Sequence, residues 1–398
     1  MKSEWKTYTV QELIDLGMLE APMDGNHGNL HPKVSDYVLE GIPFIMANDL
    51  VNGKIDYKKC AHITEAQARQ LKKGFAHPGD VLLTHKATIG RTALVGNEYD
   101  TIVLTPQITY YRVKKGISNR YLKAYFDSKE FQELLSNWAG SGSTRAYLGI
   151  TAQRKLPILL PSIDIQNKIA SYCESIDGKI TVNSMINDNL EQQAAALFSS
   201  LYNRSNTEVR YTDLIQILGG GTPKTGETAY WNGNIAFFTP KDVGAPYTFI
   251  TEKTITEEGL SHCNSRLYPV NTVFVTARGT VGKVGLSGVP MAMNQSCYAL
   301  VGKETHQLLV YFYTLKAVDR LKHKASGAVF DAITTRDFDS EQIMKLSDDD
   351  AKAFLCVAEP MFQEILNNSI ENLRLSTLRD FLLPKLMSGE IDVSSVQI

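Results

Sequence analysis

The sequence predicts an α/β (α+β) chain in which two copies of one globular module are separated by two long helices packed as an antiparallel coiled coil. Three observations lead there: strand-and-turn motifs that recur about 192 residues apart, a helix-spaced apolar run late in each copy, and a heptad seam that recurs 185 residues apart. Pro43-Phe44-Ile45-Met46-Ala47-Asn48-Asp49-Leu50 returns as Ala236-Phe237-Phe238-Thr239-Pro240-Lys241-Asp242-Val243. Gly79 to Arg91 returns as Asn271 to Lys283, each copy a β-branched strand, a polar turn with a basic residue, then Thr-Ile/Val-Gly-Arg/Lys.

Each element has its own signal. Alternating runs predict strands at Ile102–Val113 and Cys297–Val301, beside Thr105-Pro106-Gln107 and Met293-Asn294-Gln295, which we align with each other. A helix follows in each copy. Tyr121, Leu122, Tyr125, Phe126, Leu134 and Trp138 mark the first; Leu308, Phe312, Leu315, Val318 and Leu321 mark the second. Small-residue turns close both, Gly140-Ser141-Gly142 and Ala325-Ser326-Gly327.

The last section of each half carries the seam. Ile169, Cys173, Ile176, Ile180, Asn183, Asn187, Leu190, Ala194, Leu197 and Leu201 step by fours and threes. The second copy holds Phe354, Ala358, Met361, Ile365, Asn368, Asn372, Leu375, Arg379, Leu382 and Leu386. Asn at a core position weakens a coiled coil but fixes register and partner, so the two Asn pairs predict that the helices pack on each other. At 1.5 Å per residue, about 40 residues make a rod on the order of 60 Å. The expected domains are 1–161, helix 162–203, 204–346 and helix 347–398.

The whole chain, 398 residues with 41 basic and 43 acidic side chains, carries a formal charge of −2. Divided along the repeat, the charge is +4 for residues 1–161, −3 for 162–203, +2 for 204–346 and −5 for 347–398. The average therefore conceals two mildly basic modules joined by acidic helices. Two readings fit: different partners for the two kinds of segment, or simply soluble coiled-coil flanks. With 43% apolar residues the chain supports ordinary packed cores and excludes long disorder and collagen-like structure. No 18-residue apolar run occurs and Met1 to Lys6 opens without one, so a cytoplasmic location is expected. Five scattered cysteines fit reduced thiols.

Several motifs invite a catalytic or ligand-binding reading and fail on chemistry. Gly221-Thr222-Pro223-Lys224-Thr225-Gly226-Glu227-Thr228 has the glycine spacing of a phosphate loop, but Glu227 stands where its lysine belongs. Gly140-Ser141-Gly142-Ser143-Thr144-Arg145 places arginine at the third glycine of a dinucleotide fingerprint and follows a helix. His262-Cys263 and Cys60-Ala61-His62 lack the paired spacing of a zinc site, so no metal is assigned. Lys316, Arg320, Lys322, His323 and Lys324 crowd a helix C-terminus, where the helix dipole explains cations as well as phosphate contact does.

The duplicated modules, with Gly219-Gly220-Gly221-Thr222-Pro223-Lys224, Pro240-Lys241-Asp242, Ala277-Arg278-Gly279-Thr280-Val281-Gly282-Lys283 and Asn294-Gln295 in order, resemble the specificity subunit of type I restriction-modification systems. The ending Leu382-Leu383-Pro384-Lys385-Leu386-Met387-Ser388-Gly389-Glu390-Ile391 resembles the close of that family's second helix. The resemblance implies two target recognition domains that each read half of a split, asymmetric double-stranded DNA site. It also implies paired helices that set the spacing and dock two methyltransferase subunits and, through them, endonuclease subunits. No catalysis and no cofactor of its own are then expected; S-adenosylmethionine and ATP belong to the partners. The chain departs from the family before the second helix: Leu160-Pro161-Ser162-Ile163-Asp164-Ile165-Gln166 has no like in Leu346-Ser347-Asp348-Asp349-Asp350.

Groove readout needs forked donors and amides: Arg or Lys for guanine, Asn or Gln for adenine, hydroxyls for phosphates. The DNA-binding candidates are Lys86, Thr88, Arg91, Gln107, Ser141, Ser143, Thr144 and Arg145 in the first module. In the second they are Thr222, Lys224, Lys241, Arg278, Thr280, Lys283 and Gln295. Rival functions are a stand-alone double-module DNA-binding regulator, a coiled-coil scaffold that never meets DNA, and an enzyme. Against the last, the chain lacks an Asn-Pro-Pro-Phe/Tyr motif.

Overall fold

The computed structural model describes residues 5–28, 31–140, 146–244, 246–324, 332–391 and 393. By its contacts the chain divides into two compact units, Met1–Ile180 with Arg374–Ile398, and Thr181–Leu373, so the division runs through both long helices.

The first module opens with β1 (Lys6–Thr9), α1 (Val10–Asp15) and β2 (Met23–Asp24). Thr9 and Glu12 start α1 as a reciprocal capping box, the Glu12 N–H donating to Thr9 Oγ1 at 3.2 Å and the Thr9 N–H to Glu12 Oε2 at 2.6 Å. The strands β3 (Ile42–Ile45), β4 (Leu50–Val51), β5 (Lys54–Ile55) and β6 (Ala61–Ile63), then α2 (Glu65–Ala68) and β7 (Phe75–Ala76), lead to the hairpin β8 (Val81–Lys86) and β9 (Thr88–Leu94). After β10 (Ile102–Leu104) and β11 (Ile108–Tyr111) come α3 (Asn119–Asp127), α4 (Lys129–Trp138), α5 (Ile150–Gln153) and β12 (Pro157–Leu160). The sequence pattern suggested one helix where α3 and α4 stand. Ser128 breaks it, taking extended backbone (ψ 145°) and capping α4 through its hydroxyl to the Phe131 N–H at 3.4 Å.

The second module repeats the order: β13 (Thr207–Arg210), α7 (Tyr211–Leu214), β14 (Ile215–Gly219), β15 (Trp231–Phe238), β16 (Tyr247–Thr248), β17 (Lys253–Ile255) and α8 (Glu257–Ser261). Then follow β18 (Val273–Thr276), β19 (Val284–Ser287), β20 (Met291–Met293), β21 (Cys297–Gly302), α9 (Gln307–Lys324), α10 (Thr335–Asp339) and β22 (Gln342–Lys345). Between the modules runs α6 (Ile163–Arg204), and α11 (Asp348–Met387) closes the chain.

Sheet topology confirms the duplication for the main strands, with β7, β4-β5 and β16 peculiar to one module. The order β2-β11-β8-β9 matches β14-β21-β18-β19, β6-β3-β10 matches β17-β15-β20, and β1-β12 matches β13-β22. In each module the strand after the hairpin pairs in parallel with the Phe-rich strand, Val103 opposite Phe44 and Phe237 opposite Ala292. The hydrogen bonds also correct one alignment. The Thr105 N–H bonds Ile45 O and the Asn294 N–H bonds Phe238 O, both at 3.0 Å, so Thr105 matches Asn294 and Gln107 matches Ser296, not Gln295. A one-residue slip in a strand moves a side chain to the opposite face.

Each module packs its late helix on the long helices. In the first unit Phe126 and Phe131 share a core with Ile169 and Cys173 of α6 and Leu383 and Leu386 of α11. In the second, Phe312 shares one with Phe198 of α6 and Phe354 of α11. All five cysteines are free. Burial raises the Cys173 and Cys297 thiols to about 12, so these two pack as neutral apolar groups.

The seam forms, and it is antiparallel. Asn183 Nδ2 donates to Asn372 Oδ1 at 2.9 Å and to Glu371 Oε2 at 2.7 Å, and Asn368 Nδ2 donates to Asn187 Oδ1 at 3.0 Å. Asn183, Asn187 and Asn368 are buried; around them Ile365 and Ala358 are fully buried and Leu190, Leu197 and Met361 half-buried. In the first unit Ile176, Ile180, Leu375 and Leu382 are half-buried, and Arg379 Nη1 meets Asp177 Oδ1 at 2.7 Å. Asn187→Leu should cost about 1–3 kcal/mol, because it leaves the Asn368 amide buried without its acceptor. Adding Asn368→Leu should recover most of that loss, as chemical denaturation of the three proteins would show.

The two helix starts differ as their sequences do. Gln166 is buried, its Oε1 accepting the Ser118 N–H at 2.9 Å and its Nε2 donating to Pro161 O at 2.9 Å. At α11 the same place holds Ala351, and the helix is capped instead by Ser347, whose hydroxyl accepts the Asp350 N–H at 3.1 Å.

Candidate nucleic-acid interface

The candidate residues that the structure describes sit on one hairpin per module and on the loops that brace it. In the first module the hairpin tip is Ala87, held at φ +64°, with Lys86 exposed and Thr88 half-exposed on either side. In the second, Arg278, Thr280 and Lys283 are exposed around the turn between β18 and β19, where Gly279 and Gly282 take φ +81° and +74°. Positive φ is what a glycine permits at little cost, so the glycines shape the turn that presents the basic residues.

Buried threonines anchor both hairpins in the same way. Thr84 Oγ1 accepts the Arg91 N–H and Thr276 Oγ1 accepts the Lys283 N–H, each at 2.9 Å. Both hairpins also lean on one matching carbonyl: Arg91 Nη1 donates to Ala47 O at 3.2 Å, and Thr280 Oγ1 to Pro240 O at 3.0 Å. That carbonyl is itself set by a turn in which the Asp49 carboxylate takes the Met46 N–H and the Asp242 carboxylate takes the Thr239 N–H, both at 2.7 Å. Thr276→Val should cost about 1 kcal/mol of stability by leaving the Lys283 N–H without its acceptor. Thr84→Val should do the same in the first module; unchanged denaturation midpoints in both would refute the anchoring role.

A third matched bond ties each hairpin to the segment returning after the late helix. The Leu148 N–H donates to His85 O and the Ile333 N–H to Ala277 O, both at 2.9 Å, and Lys86 bridges Tyr147 as Arg278 bridges Ala332. Candidates Ser141, Ser143, Thr144 and Arg145 precede this return in the first module and lie outside the described residues.

The second module gathers the rest more closely. Thr222 Oγ1 bonds Gln295 Oε1, and Ser296 O, next along the chain, accepts the Ala277 and Arg278 N–H groups at 2.8 and 3.3 Å. Lys224 is exposed while its carbonyl accepts from Trp231 Nε1 at 3.1 Å; Lys241, also exposed, faces Glu252 Oε2 at 3.5 Å. Gln107 is half-buried and its carbonyl takes the His85 N–H at 2.9 Å. The surface thus offers hydroxyls, amides and cations on hydrogen-bonded backbone, the set that groove readout and phosphate contact require.

The basic end of α9 is in part tied down within the protein. Arg320 Nε meets Glu341 Oε1 at 2.9 Å, Lys324 Nζ meets Glu341 Oε2 at 2.5 Å, and Lys316 Nζ bonds Ser199 Oγ at 3.1 Å. Glu341 is fully buried, a partner that the sequence did not reveal because its acidic neighbours Asp337 and Asp339 offered equal candidates. Lys322 is the exposed cation there that lies against the hairpin, its Cε 2.5 Å from where a Cβ on Gly282 would sit. Sequence reading also missed a cluster beside the first hairpin, where Asp24 bonds Lys73 Nζ and His27 Nε2, the latter at 2.7 Å. Burial alone would raise the Asp24 carboxyl, but the bonds from Lys73 and His27 outweigh it and hold the group below its ordinary value. Among the described residues no three His, Cys, Asp or Glu side chains gather as a metal site.

The family model for the type I restriction modification DNA specificity domain matches residues 2–192 and again 203–345. The chain belongs to this specificity-subunit family. It is 24% identical over 395 residues to the type I restriction enzyme MjaIX specificity subunit of Methanocaldococcus jannaschii, covering 92% of this chain and 90% of that one. To the HindI specificity subunit of Haemophilus influenzae it is 23% identical over 474 residues, covering 98% and 100%. A crystal structure of a type I restriction-modification S subunit from M. genitalium shares the fold at a TM-score of 0.57 and 14% identity, covering 97% and 96%. This specificity subunit is therefore a DNA-sequence-recognition chain, with two repeated domains and the long helix α6 between them. No helix among the described residues is long and apolar enough to cross a membrane.

Proposed function

We propose that this specificity subunit reads a bipartite, asymmetric double-stranded DNA site, one half per module, through the hairpins at Lys86–Arg91 and Arg278–Lys283 and the loops that brace them. The observation that supports this most is the matched anchoring of the two hairpins on a buried threonine and on the Ala47 and Pro240 carbonyls. Two modules with equal scaffolds and different exposed residues suit two different half-sites. The long helices set the spacer and dock two methyltransferase subunits, and endonuclease subunits join through these. The chain performs no catalysis and holds no cofactor; S-adenosylmethionine and ATP bind the partners, and the complex works in the cytoplasm. The weak positive charge of each module, +4 and +2, fits a chain that binds DNA poorly until its partners add backbone contacts. Sequencing methylated adenines in a host with and without this gene tests the proposal: a gene-dependent motif in two parts is expected, and its absence overturns the reading.

A further inference from the structure

The two modules share a scaffold but fill one buried position with opposite chemistry. In the first, His85 is fully buried under the hairpin tip. Its Nδ1–H donates to Leu148 O at 3.1 Å, and the same carbonyl accepts Gln153 Nε2 at 2.8 Å. Gln153 Nε2 also reaches Thr109 Oγ1 at 3.1 Å, and Gln153 Oε1 accepts the Tyr111 hydroxyl at 2.7 Å. Thr109, Tyr111 and Gln153 are all fully buried. A continuous polar chain thus runs from the strand beside the hairpin to the segment that returns after α4.

The matching positions in the second module, fixed by the hydrogen-bond registers above, are Ala277, Tyr298, Leu300 and Phe338. There an edge-on contact between the Tyr298 and Phe338 rings, 6.1 Å apart, replaces the Thr109–Gln153 bond. The backbone bond of Ile333 to Ala277 survives, and among the described residues no side chain adds to it. Apolar packing tolerates small slips, whereas a buried polar chain is satisfied in one geometry only.

We infer that His85 is a positioning residue for the first module: it locks the return segment at Tyr147–Leu148 to the hairpin tip at Lys86, and so fixes how that module meets its half-site. Leu148 is thereby bonded to His85 at both its N–H and its carbonyl. The neutral Nδ1–H tautomer is sufficient for this bond. Burial pushes its pKa below the ordinary value, against the opposing charge of Asp24 and the bond to Leu148 O, with His27 and Lys86 acting in the same sense as burial. Among the described residues its Nε2 is buried without a partner, so a proton there would find no acceptor among them.

The inference rests on the two-half reading above. Its test uses the reconstituted methyltransferase complex with the full chain. The probes are duplexes carrying the site found by methylated-adenine sequencing and single-base substitutions in either half. His85→Phe keeps the ring and removes the donor; His85→Asn keeps a donor near Nδ1. Loss of one buried hydrogen bond should relax discrimination, as kcat/KM ratios, about fivefold to tenfold in one half only, and His85→Asn should restore most of it. Unchanged discrimination, equal loss in both halves, or equal behaviour of the two variants overturns the inference. A wild-type complex that discriminates in neither half overturns the two-half reading itself. Should His85→Phe not fold, Tyr111→Phe, which deletes only the far hydroxyl of the chain, carries the same test.

Discussion

A complex carrying seven extra residues in each long helix is expected to methylate a site whose two half-sequences are unchanged and whose spacer is longer by about three base pairs. Seven residues add about 10 Å of helix, and B-DNA rises about 3.4 Å per base pair. The antiparallel pairing dictates where the insertions must go. Asn183 meets Asn372, and Asp177 meets Arg379, so matched insertions after Ile180 and after Leu373 leave both sets of contacts intact. A whole heptad keeps each apolar side chain on the seam, whereas three or five residues would turn the following stretch away from it. Lengthening α6 alone should fail, because it slides Asp177 past Arg379 and draws Ile169 and Cys173 away from Leu383 and Leu386. Methylated-adenine sequencing reads the result directly: an unchanged spacer, or altered half-sites, refutes the idea that the helices act as a ruler.

The features legible in sequence were those with a period. The seam repeats every seven residues and the modules repeat about every 192, so both stand out from one chain without relatives. Asn183, Asn187, Asn368 and Asn372 were readable as a register device because a polar residue at a core position is otherwise costly. Features that depend on distant partners were not legible. Arg91 reads as a free donor, yet its guanidinium turns back onto Ala47 O; nothing near it in sequence announces that carbonyl. Gln107 and Gln295 look equivalent by eye, but the turn before each strand is displaced by one residue, which only the backbone bonds reveal. Phe362 and Leu366 are buried although neither lies on the seam, because α11 faces the second module as well as α6. The polar chain through His85 is the least legible feature, since its members span residues 85 to 153 and their counterparts, mostly apolar, form no such chain.

Phe198→Ala should be the most damaging single substitution in the second unit, at about 3–5 kcal/mol. The ring is buried to 1% exposure, stacks on Phe312 with centroids 5.0 Å apart, and meets Tyr313 and Phe354 edge-on at 5.4 Å. Those partners come from α9 and α11, so one side chain of α6 joins the module's late helix to both long helices. Truncation removes the ring's transfer energy and leaves a cavity that three fixed rings cannot close. Met185 on the same helix is 66% exposed, and Met185→Ala should stay within about 0.5 kcal/mol. Trp231 is the one tryptophan of Thr181–Leu373, so its fluorescence, with Trp5 and Trp138 replaced by Phe, isolates the unfolding of this unit. Equal midpoints for the two variants would mean that the aromatic cluster does not hold the module to its helices. A midpoint lowered only by Phe198→Ala would mean that module and helix unfold together, which a ruler requires: a spacer helix can set a distance only if the module it carries cannot turn on it.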